Sequence, residues 1–429
     1  MDLRFFFEKE VKLKISGIKG MNDILPEEIE VWHFLEHCVR EVFHAFGFKE
    51  IRVPVLEKTE LFSRSIGEET DIVSKEMYTF FDKSDHSLTL RPEGTASVMR
   101  SFIEHQLHKT SQISKLYYVG PMFRYERPQK GRYRQFYQIG AEVIGEDNPL
   151  VDAQLLIMLD HFFKRIGIED VQLQVNSIGC PECRPRYRQA LLDFLGDKLE
   201  LLCGDCNRRY QNNPLRVLDC KVEGCGKACQ DAPSVLDYLC EGCSRHFDTV
   251  QQLLNDLKVP FSVNPRMVRG LDYYTKTTFE MVTGSLGAQN ALAAGGRYDG
   301  LIESLGGPSL PGIGFAIGME RLVLMKGRDS VLASGIDIFL AALGEKSVEK
   351  SFFLLSGLQK HGIQAEMDFS GKSLKAQLRR ADKAKARYVL ILGEDELGRN
   401  QAQLKDMEKG SQETVSLENI ESFLLDLLS

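Results

Sequence analysis

The chain has 429 residues, 43% apolar and 27% charged, with a formal net charge of −7. That length predicts about two to four domains, and the apolar share is ample for buried cores. The acid balance gives no global attraction to a polyanion, so any nucleic-acid contact must use local basic patches. The N-terminal MDLRFFFEKEVKLK has a run of three phenylalanines before charges resume. That is no signal peptide, and no apolar run in the sequence is long enough to span a membrane. A cytoplasmic enzyme without membrane contact is the expectation. Nine of the ten cysteines fall between Cys180 and Cys243, so they belong to one module, and the missing secretion signal argues against disulfides.

In Gly17–Gly47, Pro26 marks a helix start, and Ile29, Trp32, Leu35, Val39, Val42, Phe43 and Phe46 follow at helical spacing until Gly47. A strand over Phe48–Val55 ends near Pro54. Ser87–Met99 reads SLTLRPEGTASVM: Leu88 and Leu90 alternate in a short strand, and Arg91-Pro92-Glu93-Gly94-Thr95 turns into a helix. Backbone N–H groups and the Glu93 carboxylate are exposed together there, although a capped helix start explains the same residues.

Tyr117–Gly145 reads as two strands around a polar loop. The first, Tyr117–Phe123, is apolar and aromatic. The second, Phe136–Ile144, puts Phe136, Gln138, Gly140 and Glu142 on one face and Tyr137, Ile139, Ala141 and Val143 on the other. The loop between them sets Arg124, Arg127, Lys130, Arg132 and Arg134 against one acid, Glu126. Five cations suit a polyanion because guanidinium groups grip phosphate oxygens bidentately. A strand with Gln and Glu on one face is lining something polar.

Asp152–Ile166 reads as a helix and Leu173–Ile178 as a strand leading into the cysteines: Cys180-x-x-Cys183, Cys203-x-x-Cys206, Cys220, Cys225, Cys229 and Cys240-x-x-Cys243. A two-residue gap lets both thiolates of a knuckle reach one tetrahedral metal, so these nine are candidate ligands for structural zinc. Eight would fill two sites, and the pairing stays open, as do unmetallated thiols or an iron–sulfur cluster. Asn207–Ser244 is otherwise helical and charged. Beyond the module come MVRGLDYY (Met267–Tyr274), AGGRYDG (Ala294–Gly300) and GIGFAIGMERL (Gly312–Leu322), whose glycines let a ligand approach the backbone closely. After a hinge near Met325–Ser334, strands over Asp337–Leu343, Gln364–Asp368 and Tyr388–Gly393 alternate with helices, as in a parallel-type α/β layer. Lys372, Lys375, Arg379 and Lys383 share one helix face, and Leu374, Leu378 and Ala381 share another.

Phe-Arg-Tyr-Glu-Arg-Pro followed by Gly-Arg-Tyr-Arg-Gln-Phe resembles motif 2 of class II aminoacyl-tRNA synthetases, in the form found in histidyl-tRNA synthetases. The helix and proline-ended strand resemble motif 1, and RPEGT resembles the loop that holds the amino group of histidine. RGLDYY and AGGRYDGL resemble the two histidine-specific motifs, and GIGFAIGMERL resembles motif 3. SGKSLKAQLRRADK resembles the anticodon-binding domain of class IIa enzymes. The anchors keep family order over nearly the whole chain. The cysteines depart from the commoner pattern, in which this insertion has none.

The resemblance implies an α+β catalytic domain with a central antiparallel sheet over residues 1–179 and 251–328. It also implies an inserted cysteine-rich, mainly helical domain over 180–250, facing the tRNA acceptor arm, and an α/β anticodon-binding domain over 335–429. The implied activity is ATP-dependent ligation of histidine to its tRNA through a histidyl-adenylate, by a homodimer, with Mg²⁺ accompanying ATP. Arg269 and Arg124 are the implied catalytic residues. Glu93, Thr95, Gln138, Glu142, Tyr273, Tyr274 and Gly296 would bind histidine. Arg124, Glu126, Phe136, Arg269 and Arg321 would bind ATP, and Gln129, Arg132, Arg134, Lys375 and Arg379 would bind tRNA. Two other classes compete. A regulatory paralogue of this family, serving a histidine-biosynthesis phosphoribosyltransferase, typically lacks the C-terminal domain that this chain keeps. A zinc-dependent RNA-binding module leaves RGLDYY, AGGRYDGL and motif 3 unexplained.

Overall fold

Strands distant in sequence interleave in one sheet. The structure is a computed structural model describing residues 15–67, 70–129, 131–268, 273–285, 290–327 and 335–428. It divides into two units, Met1–Val331 and Leu332–Ser429. The first unit contains β1 (Lys49–Glu50), β2 (Leu56–Lys58), β3 (Tyr78–Phe81), β4 (Ser87–Leu90), β5 (Ser114–Phe123), β6 (Gln135–Ile144), β7 (Gln172–Ser177), β8 (Phe261–Val263), β9 (Thr275–Val282), β10 (Ala291–Arg297) and β11 (Gly312–Gly318). Eight of these form the central sheet in the order β1-β5-β6-β11-β10-β9-β7-β8, and β2-β4-β3 form a small one. The central sheet is antiparallel except at its edges, where β1 runs parallel to β5 and β8 to β7.

The sequence expects one strand over Phe48–Val55; the structure has only β1 and, beyond Pro54, β2. Proline carries no N–H for a ladder, so a strand through this point would lose a rung.

Alternation decides the two faces of β6. Ile139, Ala141 and Val143 join Trp32 and Phe43 of the helix Pro26–Ala45, Leu156 and Phe162 of Pro149–Arg165, and Val250 of Glu241–Asp256 in one core. Each fully buried side chain of this size stabilises by about 1.5–3 kcal/mol. The Phe136–Glu142 face of the strand is left for the cavity.

A buried polar triad ties these layers. Asp152 contacts the Arg297 guanidinium at 2.6 Å and His246 Nε2 at 2.8 Å, and neither Asp152 nor Arg297 is exposed. Burial would raise the Asp152 carboxyl, but His246 and Arg297 outweigh it and hold it below its ordinary value. Between β7 and β8 the described chain is helical, and Tyr187, Leu191, Leu195, Val217 and Val235 give the insert its own core.

The second unit has β12 (Ile338–Ala342), β13 (Ala365–Met367), β14 (Tyr388–Leu392), β15 (Gln401–Asp406) and β16 (Gln412–Ser416), in the order β13-β12-β14-β15-β16. The first three run parallel, as expected. The sequence reading misses the antiparallel β15–β16 hairpin: β15 buries only Ala402 and Leu404, and β16 buries none of its residues. In the helix Leu374–Lys383, Ala381 packs on Phe339 and Val389, and Lys375 and Arg379 are exposed.

Candidate active site on the central sheet

A cavity of about 330 Å³ opens where β6, β10 and β11 meet the loop before the helix Thr95–Glu104 and the β5–β6 loop. One end is acidic and hydroxylated. Glu93 caps the helix, accepting from Thr95 N at 2.6 Å and Ala96 N at 2.9 Å. The Thr95 hydroxyl donates to Glu142 Oε1 at 2.7 Å, and the Tyr298 hydroxyl donates to Glu142 Oε2. Glu142 itself lies beneath the lining, with no exposure. It fits there because Gly314 stands opposite it on β11; a methyl at 314 would collide with its carboxylate. Gln138 and Tyr274 line the wall, and Tyr273 packs between Tyr274, tilted at a ring distance of 4.7 Å, and Tyr298, edge-on at 5.8 Å. Gly296 makes room for Tyr274, whose ring would lie 2.9 Å from a Cβ there.

The other end gathers Arg124, Arg132 and Arg321. Arg124 donates to Pro92 O at 2.8 Å and lies over the Phe136 ring at 5.4 Å. Arg321 holds the β5–β6 loop by donating to Gly131 O at 3.4 Å. Burial pushes the Arg321 guanidinium down from its ordinary value, and the nearby Arg132 and Arg124 charges push it further. Such crowding favours an anion between them. Burial acts oppositely on the carboxyls, raising Glu93, Glu142 to about 8 and Glu320 to about 7.

A family model for histidyl-tRNA synthetase matches residues 20–322. The chain belongs to the histidyl-tRNA synthetase family. A model of an anticodon binding domain matches residues 337–427. The Histidine--tRNA ligase of Syntrophotalea carbinolica is 66% identical over 414 residues, 96% of this chain and 99% of that one. Its namesake in Geobacter sulfurreducens is 60% identical over 403 residues, covering 94% and 97% of the two chains. Among solved structures, the apo histidyl-tRNA synthetase of S. aureus matches with a TM-score of 0.81 at 37% identity, covering 96% of this chain and 100% of that one.

Against this family frame, the structure brings Glu93, Thr95, Gln138, Tyr273, Tyr274, Arg124, Glu126, Phe136, Arg132 and Arg321 to one cavity. Arg269, like Lys130, lies outside the described residues. Glu126 is buried and paired with Arg132. Gln129 bridges to Arg132 within the loop, and Arg134 lies over the Tyr125 ring at 4.2 Å while donating to Glu126 O. Tyr298 and Gly314 also line this cavity and contact Glu142, and sequence reasoning assigned them no role. They stand inside AGGRYDGL and motif 3, but their partner Glu142 is too distant in sequence for spacing to reveal it.

The cysteines sort themselves. Cys180, Cys183, Cys240 and Cys243 converge, as do Cys203, Cys206, Cys220 and Cys225, with sulfurs in each set within 4.8 Å of one another. Sulfur separations of 3.6 Å (Cys180–Cys183), 3.9 Å (Cys180–Cys240) and 3.9 Å (Cys203–Cys220) match the edge of about 3.8 Å that a tetrahedron of 2.3 Å zinc–sulfur bonds requires. Backbone N–H groups of Cys240 and Cys203 point at Cys183 and Cys225 sulfurs, at 3.0 and 3.1 Å. Cys229, a candidate ligand from sequence, joins neither set: it is buried in the insert core, facing Val217 O.

Proposed function

We propose that this chain ligates histidine to its cognate tRNA in two steps, with its residues in the roles that follow. The observation that carries the assignment is one cavity that joins Glu93 and the hydroxyls over the buried Glu142 at one end to three guanidiniums at the other, where Glu126 pairs with Arg132 and Glu280 and Glu320 also line the wall. In the first step a histidine carboxylate oxygen bonds to the α-phosphorus of ATP, the bond to the bridging oxygen breaks, and pyrophosphate leaves. The nucleophile is already anionic, so alignment and charge neutralisation replace base catalysis. Arg124 and Arg269 neutralise the α-phosphate, Phe136 stacks under adenine, and Arg321 and Glu126 complete the ATP site. Mg²⁺ enters with the β- and γ-phosphates and offsets their charge. Glu93, Thr95 and Gln138 hold the α-ammonium. Glu142, Tyr273 and Tyr274, with the space at Gly296, recognise the imidazole. A site that hydrogen-bonds both ring nitrogens rejects apolar isosteres, because its buried partners would be left unpaired.

In the second step a 3′-terminal ribose hydroxyl of tRNA attacks the adenylate and AMP leaves. Gln129, Arg132 and Arg134 of the β5–β6 loop meet the acceptor end, the insert over 180–250 faces the acceptor arm, and Lys375 and Arg379 meet the anticodon loop. The two four-cysteine sets hold structural zinc. Eight reduced thiols fit the cytoplasm, and among the described residues no helix is long and apolar enough to cross a membrane. A homodimer is the working assembly, and the exposed Phe80 and Phe81 supply apolar surface for it.

The test is histidine-dependent ATP–pyrophosphate exchange on the purified chain without tRNA, with other amino acids as controls. Exchange with histidine alone supports the activation chemistry. Histidine binding without exchange would refute it in favour of the regulatory paralogue.

A further inference from the structure

The outer cysteine set stands at the foot of the insert, where the chain leaves and re-enters the catalytic sheet. Cys180 and Cys183 follow β7, and Cys240 and Cys243 open the helix Glu241–Asp256 that carries His246, the Asp152 partner. The residues flanking the first knuckle are bonded to the histidine wall. Arg184, next to Cys183, donates to the backbone carbonyl of Tyr274. Gly179, next to Cys180, accepts from Lys276 N at 2.9 Å, and Ile178 N donates back to Lys276 O at 2.9 Å. Gly179 sits at φ +66°, and any side chain there would meet Cys183 Cβ at 2.7 Å, so the knuckle closes tightly on this strand end. The inner set has a different setting: Cys203, Cys206, Cys220 and Cys225 all lie in the insert's own core.

We propose that a zinc ion on Cys180, Cys183, Cys240 and Cys243 positions the histidine pocket by fixing Arg184 and Gly179 against Tyr274 and Lys276, whereas the inner site folds the insert alone. The proposal rests on the zinc and histidine readings above and gives the two metals different jobs. The outer metal is a positioning device and touches no substrate. Its loss frees the knuckle, the Tyr274 carbonyl loses its tether, and the ring wall of the pocket shifts.

The experiment uses the full chain, purified reduced. Zinc is counted by mass spectrometry, histidine Kd is measured by calorimetry, and the KM values for histidine and ATP are taken from exchange. Wild type should hold two zinc ions. Cys180→Ser with Cys240→Ser should hold one and raise the histidine Kd and KM about ten-fold, the scale of one lost hydrogen bond, with the ATP KM unchanged. Cys203→Ser with Cys220→Ser should also hold one, with wild-type histidine and ATP constants. Arg184→Ala should keep both ions and reproduce the histidine defect, which separates positioning from misfolding. The proposal is overturned by a wild type without two zinc ions, by normal histidine affinity in the outer variant or in Arg184→Ala, or by equal defects in the inner and outer variants. Absent exchange in wild type would strike the ligase reading instead, and the zinc count and histidine Kd would still decide this one.

Discussion

Replacing Glu142 with glutamine turns one acceptor at the cavity floor into a donor. An ionised carboxylate only accepts, so the Thr95 and Tyr298 hydroxyls donate to it and turn their own oxygens, as acceptors, toward a ligand. Bound histidine, cationic at its α-amino group, favours that ionised form. In Glu142→Gln the amide N–H forces one hydroxyl to accept, and that hydroxyl then presents its proton to an N–H of histidine. A buried donor left facing a donor costs about 1–3 kcal/mol, which is about a 5- to 150-fold rise in the KM for histidine. The proposed ATP site is at the other end of the cavity, so the KM for ATP should stay within about two-fold. ATP–pyrophosphate exchange measures both constants, and equal rises would refute the assignment. Charge supplies a second readout. Burial pushes Glu142 up to about 8, above its ordinary value. Its stabilising proton is therefore held in full below the unfolded pKa and lost as pH rises through about 8. Glu142→Gln should gain stability on wild type as pH rises from about 4.5 to about 8 in urea titrations, and a constant difference across that range would contradict the burial argument.

Asp152→Asn leaves Arg297 buried without its strongest counter-charge, and breaking such a pair costs about 3–5 kcal/mol. The loss should appear as a lower urea midpoint, and a change under about 1 kcal/mol would mean that Asp299 and the backbone carbonyls suffice. Gly314→Ala forces a methyl toward Ala141 O at 2.6 Å and into the Glu142 carboxylate; overpacking of this kind costs about 1–3 kcal/mol. It should lower the thermal midpoint and raise the histidine KM above wild type, and unchanged values in both would remove Gly314 from the site. Arg134→Ala should slow transfer to tRNA in single-turnover assays while sparing adenylate formation, and intact transfer would sink that role.

How much of the fold and of the site is legible in the sequence depends on the range of the interactions involved. The helix from Pro26 and the two faces of β6 follow from local spacing and proline chemistry, and the structure agrees with both. The proposed histidine end of the cavity was legible in part, since Glu93, Gln138 and Glu142 stand in recognisable stretches. What periodicity could not supply was the company they keep. Tyr298 reaches Glu142 only because β11 pairs with both β6 and β10 and holds the two strands on either side of it. The cysteine pairing was equally hidden: the outer knuckles close over the inner ones, and only the fold shows that Cys229 turns inward to the apolar core. The β15–β16 hairpin escaped because β16 is mostly exposed and offers no buried face to read.

The strand order has a cost during synthesis. β6 pairs on one side with β5 at once, but its other partner, β11, begins only at Gly312. A ribosome adding about 5–20 residues per second must build roughly 170 residues after β6, which takes on the order of ten to thirty seconds. Throughout that interval the strand that carries Gln138 and Glu142 has an open hydrogen-bonding edge, the kind of edge that recruits strands from other chains. That edge stays open to mispairing between the emergence of the hairpin and the arrival of motif 3. Slowing translation across the insert should lengthen that exposure and increase the aggregated fraction.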